Sequence, residues 1–135
     1  MSDANVAVVE RLFEAVARGD IEGALRLVGP DGEWVNPDYA MEPGTRRGLD
    51  GVRVALTALI DSFAELRFDL SETTGLDGRV LVIGTFSGVG RASDVAFGSQ
   101  TFGAVLTLAE GLVQRYEWFL DQEEARRAFG LPSFG

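Results

Sequence analysis

The chain has 135 residues, 46% of them hydrophobic, with nine Phe, a net charge of −9 and no Lys, Cys or His. That length fits a single domain over residues 1–135, able to bury about two thirds of its unfolded surface without a disulfide or metal. The charge leaves no basic stripe for phosphates, so nucleic acid and anionic membrane are poor partners, and the missing Cys and His exclude thiol nucleophiles, Ser-His dyads, imidazole bases and the usual zinc ligands. No run has calcium-loop spacing, and neither a metal nor a cofactor is expected; acid-base work would fall to Asp, Glu, Tyr or Arg-assisted water. The first residues lack a basic n-region and an apolar h-region, and no apolar run approaches the ~20 residues of a membrane span, so the expected location is cytoplasmic.

Val6, Val9, Leu12, Phe13 and Val16 recur at helical spacing until Gly19, which predicts a first amphipathic helix. Asp20 is placed to cap a shorter helix with Ile21, Ala24, Leu25 and Val28 on one side, ended by Gly29-Pro30. After a turn at Asp31-Gly32, Glu33 to Asn36 reads as a short strand closed by Pro37, with Trp34 and Asn36 facing the same way. Residues 37–48 hold Pro37, Pro43, Gly44 and Gly48 and read as a loop carrying Tyr39 and Met41. Asp50 is expected to cap a third helix, with Val52, Ala55, Leu56, Leu59, Ile60 and Phe63 inward.

From Leu66 the period changes to two, and four strands are predicted: Leu66 to Thr73, Arg79 to Gly88, Val95 to Leu108 and Leu112 to Leu120. Their turns fall at residues 75–78, 90–94 and 109–111, which makes an antiparallel meander. A last helix spans Gln122 to Phe129, with Asp121 and Glu124 spaced as a capping box and Gly130 as its stop. The fold class is therefore α+β: a curved antiparallel sheet, three N-terminal helices packed on one of its faces, and a short C-terminal helix. Leu81, Ile83, Val105, Val113 and Phe119 fall on the other face, an apolar patch that predicts a homodimer through the sheet.

The order of elements, with the opening NVAVVERLFEAVARGDIEGALRLVGPDGEWVNP and the closing GLVQRYEWFLDQEEARRAFGL, resembles the SnoaL-like branch of the nuclear transport factor two-like superfamily. The resemblance implies a cone-shaped α+β fold whose three N-terminal helices lie on the concave face of the sheet and enclose a pocket, and frequent dimers; the superfold itself hosts many activities. Against limonene epoxide hydrolases, the water-holding Tyr-x-Asn pair falls on Trp34 and Asn36, and the Asp-Arg-Asp machinery falls on Trp118 and near Gly84 and Phe86. Against ketosteroid isomerases, the base and the tyrosine donor fall on Asn36 and Leu12. The polyketide cyclases of the branch use a His, which this chain lacks.

The concave face should gather Trp34, Asn36, Phe68, Gly84, Phe86, Gln100, Phe102, Tyr116 and Trp118, with Tyr39 and Met41 over the mouth. Two readings of that face stand: a dry aromatic pocket for a hydrophobic or aromatic small molecule, with Asn36, Gln100 and a tyrosine hydroxyl as hydrogen-bonding fixtures, or a core filled by the same rings. Asn36 is either a ligand-orienting group or a turn former before Pro37. Asp121 is expected to be an N-cap, Asp38 a solvated loop residue, and Arg115 with Glu117 an interface ion pair. In function the choice lies between a binding module, an isomerase, cyclase or hydrolase for a polyketide, terpenoid or steroid-like substrate, and a structural interaction domain.

Overall fold

The computed structural model describes residues 2–40, 43–90 and 96–130, with the side chains of 2, 3 and 96–98 outside the description. The expected turn at 90–94 and Met41 therefore lie outside the described residues, apart from Gly90, which ends a strand. Helix α1 spans Ser2–Ala17 and buries Val8, Val9, Leu12, Phe13 and Val16, the stripe its spacing dictates. The chain leaves it through Gly19, and Asp20 accepts the Gly23 N–H at 2.9 Å to cap α2, Ile21–Leu25.

Helix α2 stops three residues before Val28, because the Leu27 carbonyl accepts the Val113 N–H at 2.8 Å. That bond draws Val28, Gly29 and Pro30 into strand β1, Val28–Asn36, and the expected Asp31-Gly32 turn becomes an irregularity inside it. The expected loop also contains a strand. Gly44–Arg47 forms edge strand β2, folded back antiparallel on β1 with Asn36 opposite Gly44. Helix α3, Gly48–Asp61, starts two residues before Asp50, with Arg47 at its N-cap position and no side-chain cap bond.

Strands β3, Phe63–Leu76, β4, Arg79–Gly90, β5, Ala96–Ala109, and β6, Leu112–Phe119, form the predicted meander. Two hairpins close through Asp77-Gly78 and Glu110-Gly111, all four residues at positive φ. The sheet order is β2-β1-β6-β5-β4-β3, antiparallel except where β1 runs parallel to β6. Helices α1 and α3 pack on the concave face, over a core in which Val9, Leu56, Val80, Val82, Ala104 and Leu106 are essentially inaccessible. Four helices on a curved, unclosed six-stranded sheet make the α+β cone.

The other sheet face departs from expectation. Helix α4, Gln122–Phe129, lies across β4 and β5, and its Ala125 and Phe129 bury Leu81, Ile83, Val105 and Phe119. The patch that predicted a dimer is thus covered by the chain itself. Val113 leaves that patch altogether: Thr107 pairs with Arg115 and Leu108 with Val113, so Gln114 is the extra residue of a bulge and Val113 turns into the main core. Close approach of α4 depends on Gly103, where a Cβ would stand 2.5 Å from Ala125 Cβ. The helix is held at its ends by Asp121, which accepts the Glu123 N–H at 2.8 Å without a box to Glu124, and by Arg79, which donates to the Phe129 carbonyl at 2.7 Å.

The rest of the outer face is charged. Glu33 receives Arg47 at 2.8 Å and Arg115 at 3.3 Å, and Arg115 lies 3.8 Å from Glu117. Arg115 and Glu117 are therefore members of a cross-strand ladder within one chain.

Candidate functional site: the aromatic concave face

Strand alternation brings six rings of the sheet, Trp34, Phe68, Phe86, Phe102, Tyr116 and Trp118, to one side, and Phe13 of α1 adds a seventh. Trp34 on β1 stands beside Tyr116 on β6 with centroids 4.5 Å apart. Phe68 on β3 and Phe86 on β4 are register partners, and both meet Phe102 on β5, at 5.8 and 6.0 Å. Phe13 joins the two groups: its ring lies 5.1 Å from Phe68, 5.8 Å from Phe102 and 6.2 Å from Tyr116. These offset and edge-on arrangements are those that the ring quadrupole favours. Gly84 is the register partner of Phe102, and a Cβ there would run into the Asp69 carbonyl and Leu70 Cα of β3, so the bare glycine allows β3 and β4 to close up.

The polar groups of the face are mostly committed. The Asn36 side-chain oxygen accepts both indole N–H groups, Trp34 Nε1 at 2.8 Å and Trp118 Nε1 at 2.7 Å. Asn36 is thus an acceptor clamp between the only two tryptophans of the chain, a use that neither the orienting nor the turn-forming reading foresaw. Tyr39 is about half exposed, and its hydroxyl accepts the Leu120 N–H at 2.7 Å, fastening the segment after β1 to the end of β6. Gln100 shares a face with Phe86, its register partner, but is exposed at the end of the sheet instead of forming a second buried amide. Asp38 is exposed, and Asp121 is engaged at the start of α4.

Tyr116 differs from these. The residue is half-buried, and desolvation pushes its pKa well above the ordinary value. It hydrogen-bonds to none of the described residues. It borders a partly open cleft of about 20 Å3 lined with Leu12, Phe13, Val16, Trp34, Leu59 and Phe68, large enough for one water or one small ligand group. With the Trp34 N–H already donated, the Tyr116 hydroxyl is the one uncommitted side-chain hydrogen-bonding group of that lining. Leu12, Phe13, Val16 and Leu59 were visible in the sequence as helix stripes; which sheet residues they would meet was not.

Val80, Val82, Ala104 and Leu106 are sealed, whereas Phe68, Phe86, Tyr116 and Trp118 keep partial accessibility, as do Leu59, Leu66 and Leu70 around the same core. A hollow of about 540 Å3 between the start of α1 and the β5–β6 turn is larger, but it is an open surface groove containing none of these rings. Among the described residues, no group of three acidic side chains is arranged to hold a metal. No helix of the described residues is long and apolar enough to cross a membrane.

Residues 9–116 match the model of the SnoaL-like domain. The chain belongs to the SnoaL-like family. An NTF2-like protein of unknown function from Burkholderia pseudomallei is similar at 26% identity, with 92% of this chain and 95% of that one covered and a TM-score of 0.73. TerC, co-crystallised with polyporic acid, is similar at 25% identity over 93% and 95% of the two chains, with a TM-score of 0.76. A protein of ketosteroid isomerase-like fold from Catenulispora acidiphila, in complex with trimethylamine, shares the fold at 12% identity, 93% and 94% coverage and a TM-score of 0.74. No curated protein matches the sequence.

Proposed function

We propose that this SnoaL-like chain is a binding protein for a hydrophobic or aromatic small molecule, held against the concave face without covalent change. The observation that carries the reading is a group of four rings on the concave face, Phe68, Phe86, Tyr116 and Trp118, that stay partly accessible together with Leu59, Leu66 and Leu70, over a layer in which Val80 and Leu106 are fully buried. Aromatic surface left reachable in this way gains by burial against another flat apolar group. A cleft of only about 20 Å3 means that the body of a ligand lies along the accessible rings and inserts one end. The co-crystal of TerC with polyporic acid supports an organic ligand on this fold. A catalytic reading needs a carboxylate at the face, yet Asp38 is exposed and Asp121 is occupied as a cap.

The test is a titration with polyporic acid and a panel of aromatic, terpenoid and steroid compounds, following tryptophan emission while mass spectrometry follows the compounds. Saturable emission change with the compounds unaltered is the expected result. Conversion of a compound would make the protein an enzyme, and no response to any of them would sink the binding reading.

A further inference from the structure

We infer that the inserted end of the ligand is an uncharged carbonyl that accepts a hydrogen bond from the Tyr116 hydroxyl, which makes Tyr116 the specificity-determining residue of the face. This rests on the binding reading above. The inference follows by elimination and then by the chemistry of the space that remains. Of the groups on this face able to select a ligand by hydrogen bonding, Asn36 gives its oxygen to two indoles, Tyr39 accepts the Leu120 N–H and is about half exposed, and Gln100 is exposed at the end of the sheet. Of these groups Tyr116 alone borders the apolar space, and it hydrogen-bonds to none of the described residues.

The lining of the space beside it offers a water one uncommitted side-chain partner, the hydroxyl itself. The remaining lining is apolar, and no cation borders the space. A carboxylate inserted there would lose its hydration with no compensating charge. An inserted hydroxyl would form one bond with Tyr116 and leave one of the two O–H protons without an acceptor. A hydrocarbon would leave the Tyr116 proton as it is now. A ketone or quinone oxygen, which only accepts, satisfies the phenol and adds no new orphan. The raised pKa keeps Tyr116 protonated as the donor over the ordinary pH range.

The test compares 9-fluorenone with fluorene, in which CH2 replaces the carbonyl, on the wild-type protein and on Tyr116→Phe. The wild type should prefer the ketone by about ten-fold, and the variant should bind both equally, with fluorene held at least as tightly as before. In the infrared, the carbonyl stretch of wild-type-bound fluorenone should move to lower wavenumber, and the shift should vanish in the variant. If both compounds bind the wild type without preference and without a carbonyl shift, the inference is overturned while the binding reading stands, and that result needs no variant. A ketone preference that survives in a folded Tyr116→Phe also overturns it. If neither compound binds, and polyporic acid does not bind either, the binding reading fails and takes the inference with it.

Discussion

Replacing Asn36 by Leu removes the one oxygen that accepts both Trp34 Nε1 at 2.8 Å and Trp118 Nε1 at 2.7 Å. Each indole N–H is then left in a part-buried setting where leucine offers no acceptor. An orphaned donor costs about 1–3 kcal/mol, and partial access to water puts these in the lower part of that range, so the pair amounts to about 2–4 kcal/mol. That is a large share of the roughly 5–15 kcal/mol that holds a domain of this kind. Urea unfolding followed by far-ultraviolet circular dichroism should show a midpoint lowered by about 1–2 M, taking about 2 kcal/mol per molar as the slope. Tryptophan emission is the wrong probe, because both fluorophores lose their partner. Asn36→Asp keeps an acceptor and should recover more than half of the loss. If Asn36→Leu costs less than about 0.5 kcal/mol, or Asp proves as costly as Leu, the indole bonds contribute nothing and Asn36 is a turn residue before Pro37.

Two further predictions concern the packing of α4 and the buried phenol. Gly103→Ala puts a methyl 2.5 Å from Ala125 Cβ and 3.2 Å from Ile83 Cδ1, and overpacking of that kind should cost about 1–3 kcal/mol in thermal or urea unfolding. Ala125→Gly in the same chain should return part of that loss despite about 1 kcal/mol of helix penalty, and strictly additive losses would show that the two residues do not limit each other. Burial raises the Tyr116 pKa above its ordinary 10.0, so at alkaline pH the unfolded chain releases a proton that the native chain keeps. Stability should be unaffected by this group below about pH 10 and fall as the pH climbs toward the raised value. Tyr116→Phe should flatten that alkaline slope, and an unchanged slope would place its origin elsewhere.

Local pattern carried much of this fold because local chemistry decides much of it. The stripes Val9-Leu12-Phe13-Val16 and Val52-Ala55-Leu56 are buried as their spacing requires, and Asp77-Gly78 and Glu110-Gly111 turn where Gly supplies the positive φ. The misplaced segments depend on partners distant in sequence. Val28 to Pro30 join β1 because Val113 bonds to Leu27, and Gly44 to Arg47, with no strand propensity of their own, become β2 because β1 offers an unpaired edge. The same reason explains the outer face. Nothing within Leu81, Ile83, Val105 or Phe119 says that the cover comes from Ala125 and Phe129 forty or so residues after β4, and only the small side chains at Gly103 and Ala125 hint that a helix could come so close.

The candidate site was legible as a face and illegible as a set of available groups. Period-two alternation is enough to put Trp34, Phe68, Phe86, Phe102, Tyr116 and Trp118 on one side of the sheet. It cannot say that two indoles 84 positions apart at their outer limits of sequence, Trp34 and Trp118, converge on one amide, nor that a hydroxyl as exposed as that of Tyr39 is already engaged. Residue type counts donors and acceptors; geometry says which of them are spent. A face that reads from its sequence as rich in polar fixtures therefore reduces to a single uncommitted phenol among rings. Affinity on such a surface comes from apolar area, which discriminates weakly among flat ligands, so discrimination falls to the one group that a wrong ligand would leave unpaired.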